Sequence, residues 1–112
     1  MRIAIPTEGD KLTDEVALHF GRARNFLIFD TETNKFEIWQ NPEALGKAEF
    51  PPEFLNKLGV KVIICFSLGP RAVKLCEKFG IKTKKAVEKT ISENINLFQK
   101  GRLENLEEKD TF

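Results

Sequence analysis

His19 is the only imidazole in the chain, and it stands in a polar stretch, Thr7 to Asn25, set between two apolar runs. A neutral imidazole donates readily to iron, and its ring nitrogens can equally tie a loop together by hydrogen bonds. Both roles are open to His19 from its type and place. Next in line, Gly21 permits close backbone approach. Arg22 offers a guanidinium that can hold an anion through two parallel hydrogen bonds, and Arg24 adds a second positive charge. Cys65 ends an apolar run, where a thiolate could bind iron and where a buried thiol more often serves as small apolar packing. Cys76 falls on the inward stripe of a helix and reads as core. Ser67 and Gly69 come just before that helix, whose first amides favour an anion.

Several chemistries are closed to this set. There is no Gly-x-x-x-x-Gly-Lys loop, no Gly-x-Gly-x-x-Gly and no Gly-x-Ser-x-Gly elbow. One His and two Cys cannot complete a closed zinc site without a carboxylate or a second subunit. Two-metal phosphodiester hydrolysis needs several converging carboxylates. The aspartates are Asp10, Asp14, Asp30 and Asp110, and none lies in the first strand, so a nuclease is a poor alternative. Eighteen Lys plus Arg against 17 Asp plus Glu leave a net charge of +1, which argues for neither nucleic acid nor a membrane surface. The longest apolar run, Val62 to Phe66, is far short of the ~20 residues that span a bilayer. Met1 to Pro6 lacks the apolar core of a signal peptide, and two cysteines suit the reducing cytoplasm.

The elements that must position these residues are legible. Apolar runs predict strands at Arg2–Pro6, Phe26–Phe29, Phe36–Gln40, Lys61–Phe66 and Ile81–Val87. Thr31 to Lys35 suits a hairpin turn. Pro51-Pro52 opens a helix that Gly59 closes, and Gly69-Pro70 opens another that Gly80 closes. Thr90 followed by Glu93 is a capping box for a third helix ending near Gly101. Lys82, Lys84 and Lys85 read as protection of a sheet edge. With 112 residues, the chain is one domain over residues 1–104, and the acidic residues 105–112 form a tail expected to fray.

A hairpin makes strands two and three antiparallel, and helix crossovers make one, four and five parallel. The continuous apolar strands belong in the middle. The expected architecture is therefore α/β, a five-stranded mixed sheet in the order 3-2-1-4-5 with helices on both faces. Ligands in such sheets bind beyond the carboxyl ends of the strands where the winding reverses, here between strands one and four. That point gathers the Thr7–Asn25 loop with Cys65, Ser67 and Gly69. The loop's polarity and missing apolar period imply little buried area and high mobility.

Ile3-Ala4-Ile5-Pro6-Thr7, then Val16, His19-Phe20-Gly21-Arg22-Ala23 and Phe26 to Asp30, resembles the dinitrogenase iron–molybdenum cofactor biosynthesis family, the NifX-like group also found at the C-terminus of NifB-type proteins. The resemblance continues through Asn41-Pro42, Leu58-Gly59-Val60, Leu68 to Ala72, Gly80 to Lys82 and the Thr90–Leu103 helix. It implies a three-layer, ribonuclease-H-like α/β/α fold. It also implies non-catalytic binding or carriage of an iron–sulfur or iron–molybdenum cluster precursor, passed between donor and acceptor proteins by a monomer or weak homodimer. In that setting His19, Gly21, Arg22, Ser67 and Gly69 are the candidate cluster-binding residues, with His19 and Cys65 as candidate metal ligands. The competing reading is a protein-interaction or regulatory domain, with Trp39 and the Lys82–Lys85 edge as its contact surface.

Overall fold

Alternation of apolar residues builds the sheet, and the computed structural model shows where each face goes; it describes residues 1–47, 49–107 and 110–111. The elements run β1 (Arg2–Thr7), β2 (Asn25–Asp30), β3 (Lys35–Gln40), α1 (Pro51–Lys57), β4 (Val60–Cys65), α2 (Pro70–Phe79), β5 (Lys82–Lys85) and α3 (Ile91–Gln99). The sheet order is β3-β2-β1-β4-β5, as the pattern predicts. β2 is antiparallel to both neighbours while β1, β4 and β5 are parallel, so β2 alone runs against the rest.

Period two divides the side chains between two cores. Ile3, Ile5, Leu27, Phe29, Val62 and Ile64 pack with Ile91 and Ile95 of α3. Ala4, Phe26, Ile28, Ile63 and Cys65 pack on the other face with Leu55 of α1 and Cys76 of α2. In β4 a bulge resets the alternation: Arg2 pairs with Val60 and Ile3 with Val62, leaving Lys61 as the extra residue. Val60 thereby faces α1 and α2 while Val62 faces α3, and Lys61 stays in solvent.

The ends of the helices are as expected. Thr90 accepts from the Glu93 amide at 3.3 Å, and its hydroxyl donates to the Glu93 carboxylate at 2.5 Å. β3 is a largely exposed edge, and Trp39 sets its ring edge-on to Phe54 of α1, with centroids 5.9 Å apart.

At the opposite edge the structure corrects two expectations. The Lys85 amide donates to the Glu104 carbonyl at 2.8 Å, and the Leu106 amide to that of Thr83 at 3.1 Å. The described part of the tail is therefore bonded along β5, and the lysines there do not guard an open edge. Glu108, Lys109 and Phe112, also expected to fray, lie outside the described residues.

Candidate functional site

The β1–β2 loop is held by its own short polar side chains. Thr7 donates to the Glu15 carbonyl at 2.8 Å and accepts from the Gly9 amide at 3.1 Å. The Asp14 carboxylate accepts from the amides of Asp10 and Lys11, both at 2.9 Å, and these bonds lower its pKa. Gly9 is required by contact: a Cβ there would lie 2.2 Å from an Asp14 carboxylate oxygen. Glu8 accepts from the Arg24 amide, so the fold uses the backbone of Arg24. Val16, Phe20 and Ala23 are buried, and the Ala17 amide donates to the Pro6 carbonyl at 2.8 Å. The expectation of a loop with little buried area is thus corrected. Its apolar residues are spaced irregularly, so no period betrays them.

The far end of the loop is clamped from β3. Asn41, wholly buried, donates to the carbonyls of Gly21 and Ala23 at 3.1 and 2.9 Å, and its side-chain oxygen accepts from the Glu43 amide. Phe20 turns inward onto Phe26, with centroids 5.1 Å apart. With Phe20 inserted and Asn41 holding the carbonyls, His19, Gly21 and Arg22 are left on the rim.

They line a cleft of about 440 Å³ with Glu43, Phe50, Pro51, Pro52, Gly69, Arg71, Ala72 and Leu75. This volume falls within the range of small-ligand sites. One wall is the His19–Arg22 segment, the second is the entry to α1, and the third is the first turns of α2. The Arg71 guanidinium lies 4.6 Å above the Phe50 ring and so bridges the last two walls. Arg22 and His19 are exposed at the mouth. Two arginines, Arg22 and Arg71, and one carboxylate, Glu43, line the cleft, a balance that favours an anionic occupant.

Of the candidates from sequence, His19, Gly21, Arg22 and Gly69 share this cleft. Ser67 stands beside it: its hydroxyl makes a long bond, 3.5 Å, to the Leu18 carbonyl and so ties the β4–α2 turn to the loop. Cys65 is placed elsewhere. It is 0 % exposed, in the same core as Phe20, Leu55 and Cys76, and burial pushes its thiol pKa strongly upward. Cys65 does not line the cleft, so the structure does not bring it together with the other candidates. Cys76 is core as expected, its pKa pushed up to about 12 by burial. Among the described residues, no three His, Cys, Asp or Glu side chains converge as a metal cage.

Asn41, Glu43, Phe50 and the side chain of Arg71 escape the sequence reading as site residues. Pro51-Pro52 signals only a helix start, and Asn41-Pro42 enters only as part of the family resemblance. The pairing of Phe50 with Arg71 crosses a whole helix and strand.

The model of the dinitrogenase iron-molybdenum cofactor family matches residues 1–101. The chain belongs to this family. An uncharacterized Methanocaldococcus jannaschii protein is 32 % identical, the match covering 96 % of this chain and 92 % of that one. Among solved structures, the apo form of the orange protein from Desulfovibrio gigas superposes with a TM-score of 0.85 at 27 % identity, over 94 % of this chain and 92 % of the other. A Thermotoga protein of the DUF35 family, provisionally named NifB, superposes at 0.79 with 31 % identity, over 94 % and 92 % of the two chains. Every residue lining the cleft lies within the span matched to the iron-molybdenum cofactor family.

Proposed function

We propose that this domain is a non-catalytic binding or carrier protein for an anionic iron–sulfur or iron–molybdenum cluster precursor, and that the cleft between the β1–β2 loop and α2 holds it. A cluster that arrives assembled brings its own sulfide ligands, so the protein need supply only a donor or two and balancing charge. The chain's resources match that demand. His19 stands at the mouth as the one imidazole, while Arg22 and Arg71 line the same cleft from different elements. Gly21 and Gly69 keep two stretches of backbone bare for close approach.

The observation that carries this reading is the shared cleft of His19, Arg22 and Arg71, brought together from two segments far apart in the chain. Family membership gives the anion its class. Leu18, 69 % exposed beside His19, and Phe50 at the mouth offer apolar contacts to the donor and acceptor proteins that transfer requires. The strand order and the lone reversed β2 support a ribonuclease-H-like classification of the sheet. Among the described residues no helix is long and apolar enough to cross a membrane, which is compatible with a cytoplasmic carrier.

Anaerobic reconstitution with ferrous iron and sulfide tests the reading, followed by visible absorption and metal analysis. One cluster per chain in the wild type, with uptake reduced in both His19→Ala and Arg71→Ala, is the expected result. Uptake that is indifferent to both substitutions would place the cluster elsewhere and remove the proposal.

A further inference from the structure

Past α3 the chain comes back along β5 to the β4–α2 turn. After pairing with β5 through Glu104 and Leu106, it reaches Asp110, which is engaged at several atoms. Oδ1 lies 2.8 Å from the Lys85 ammonium, and Oδ2 accepts from the Glu107 amide at 2.9 Å. The Asp110 carbonyl accepts from the Leu68 amide at 3.3 Å, and Thr111 continues the contact as a parallel bridge to Leu68. The Asp110 side chain is only 9 % exposed, so water screens its attraction to Lys85 less than it would a surface pair.

Leu68 occupies a sensitive place. β4 ends at Cys65, so the Leu68 amide lies outside the main ladder and takes its partner from this returning segment. Its side chain is 1 % exposed, in the same core as Phe20, Leu55 and Cys76. The next residue is Gly69, and Arg71 follows within the first turn of α2; both line the cleft. The returning segment lies beyond the residues matched by the family model, which end at 101.

We propose that Asp110 is a positioning residue of the cleft: the C-terminal segment straps the β4–α2 turn through Leu68, the Lys85–Asp110 pair locks the strap, and together they set where Gly69 and Arg71 meet a bound anion. The effect on binding rests on the cleft being the cluster site proposed above. The effect on the turn does not.

The test compares full-length wild type with Asp110→Asn, Lys85→Met and the charge-reversed pair Lys85→Glu/Asp110→Lys. Two readouts are taken: amide resonances and hydrogen exchange of the cluster-free protein, and the affinity for an iron–sulfide cluster in reconstitution. In both single variants the Leu68, Gly69 and Arg71 amides should shift and the Leu68 amide should exchange faster. The Ile3 and Phe29 amides of the central sheet should not change. Cluster affinity should fall roughly fivefold, the scale of one partly buried charge pair, and the reversed pair should recover most of it. Unchanged Leu68–Arg71 resonances would overturn the strap. Shifted resonances with unaltered cluster affinity would overturn the positioning role. If the wild type takes up no cluster, the proposed function fails, and the amide readout alone decides the strap.

Discussion

Asn41 holds Gly21 at one remove from the cleft: its amide nitrogen donates to the Gly21 carbonyl at 3.1 Å while the Asn41 side chain itself is wholly buried. The same nitrogen serves Ala23, and the side-chain oxygen serves the Glu43 amide. One side chain at the end of β3 thus fixes the segment that carries Arg22 and starts the one that carries Phe50. Asn41→Ala leaves several backbone groups without partners, so it should cost about 2–3 kcal/mol in urea unfolding. It should also broaden the Gly21–Ala23 amide resonances. Asn41→Asp should recover only the bond from the Glu43 amide, because a carboxylate cannot donate to the two carbonyls. An Asp variant as stable as wild type would show that the donor bonds matter little.

Gly9 and Asp14 form a second local lock. The Asp14 carboxylate must come close enough to cap the Asp10 and Lys11 amides, and that closeness leaves no room for a Cβ on Gly9. Gly9→Ala therefore has to displace Asp14, at a cost of about 1–2 kcal/mol through lost capping bonds. In Asp14→Ala the carboxylate is gone and only the contact with the residue-14 Cβ at 2.8 Å remains, so Gly9→Ala should cost less in that background. A double-mutant cycle by thermal or urea unfolding measures the coupling. Additive effects would mean that the clash is relieved without moving Asp14.

The buried thiols make a prediction about pH. An unfolded thiol ionises near 9, whereas burial holds Cys76 protonated to about 12. The folded state therefore binds the proton more tightly than the unfolded state. Stability from this group is fully present below pH 9 and falls as the pH rises from 9 towards 12. Cys65 acts in the same direction. Native protein should resist thiol alkylation at pH 8, and the slope of stability above pH 9 should become shallower in Cys76→Ala. That variant loses only a small buried group, so it should cost about 1 kcal/mol and leave cluster uptake intact. Rapid labelling of native Cys76 would contradict its burial.

The fold was legible because its determinants are local. Continuous β-branched residues mark β4 as central, alternation marks β3 as an edge, and Thr90 with Glu93 marks the start of α3. The site was legible only in part, since His19, Gly21, Arg22 and Gly69 are of distinctive type, while Phe50 and the Arg71 side chain acquire meaning only by meeting across the cleft. The loop looked loose because Val16, Phe20 and Ala23 follow no period. The tail looked solvated because its acidic residues conceal that Asp110 is matched by Lys85. Cys65 looked available because sequence gives the end of a strand but not the depth of its burial.

His19 and Arg22 separate binding from stability. Both side chains are exposed on the rim, while the loop beneath them is held by Thr7, Asp14, Phe20 and Asn41. Substitution to alanine at either position should change unfolding free energy by no more than about 0.5 kcal/mol, the range for surface sites. The two should then differ in how they weaken a cluster. Loss of Arg22 removes charge, so its effect should shrink as salt is raised towards 1 M, where screening reduces the attraction in the wild type as well. Loss of His19 removes a donor, so its effect should persist at high salt and alter the visible spectrum of any cluster that remains. Dissociation measured at low and high salt for both variants distinguishes the roles. A His19→Ala protein that is sharply destabilised yet binds with wild-type affinity and spectrum would make His19 a clamp of the loop, and the donor would have to be sought elsewhere on the walls of the cleft.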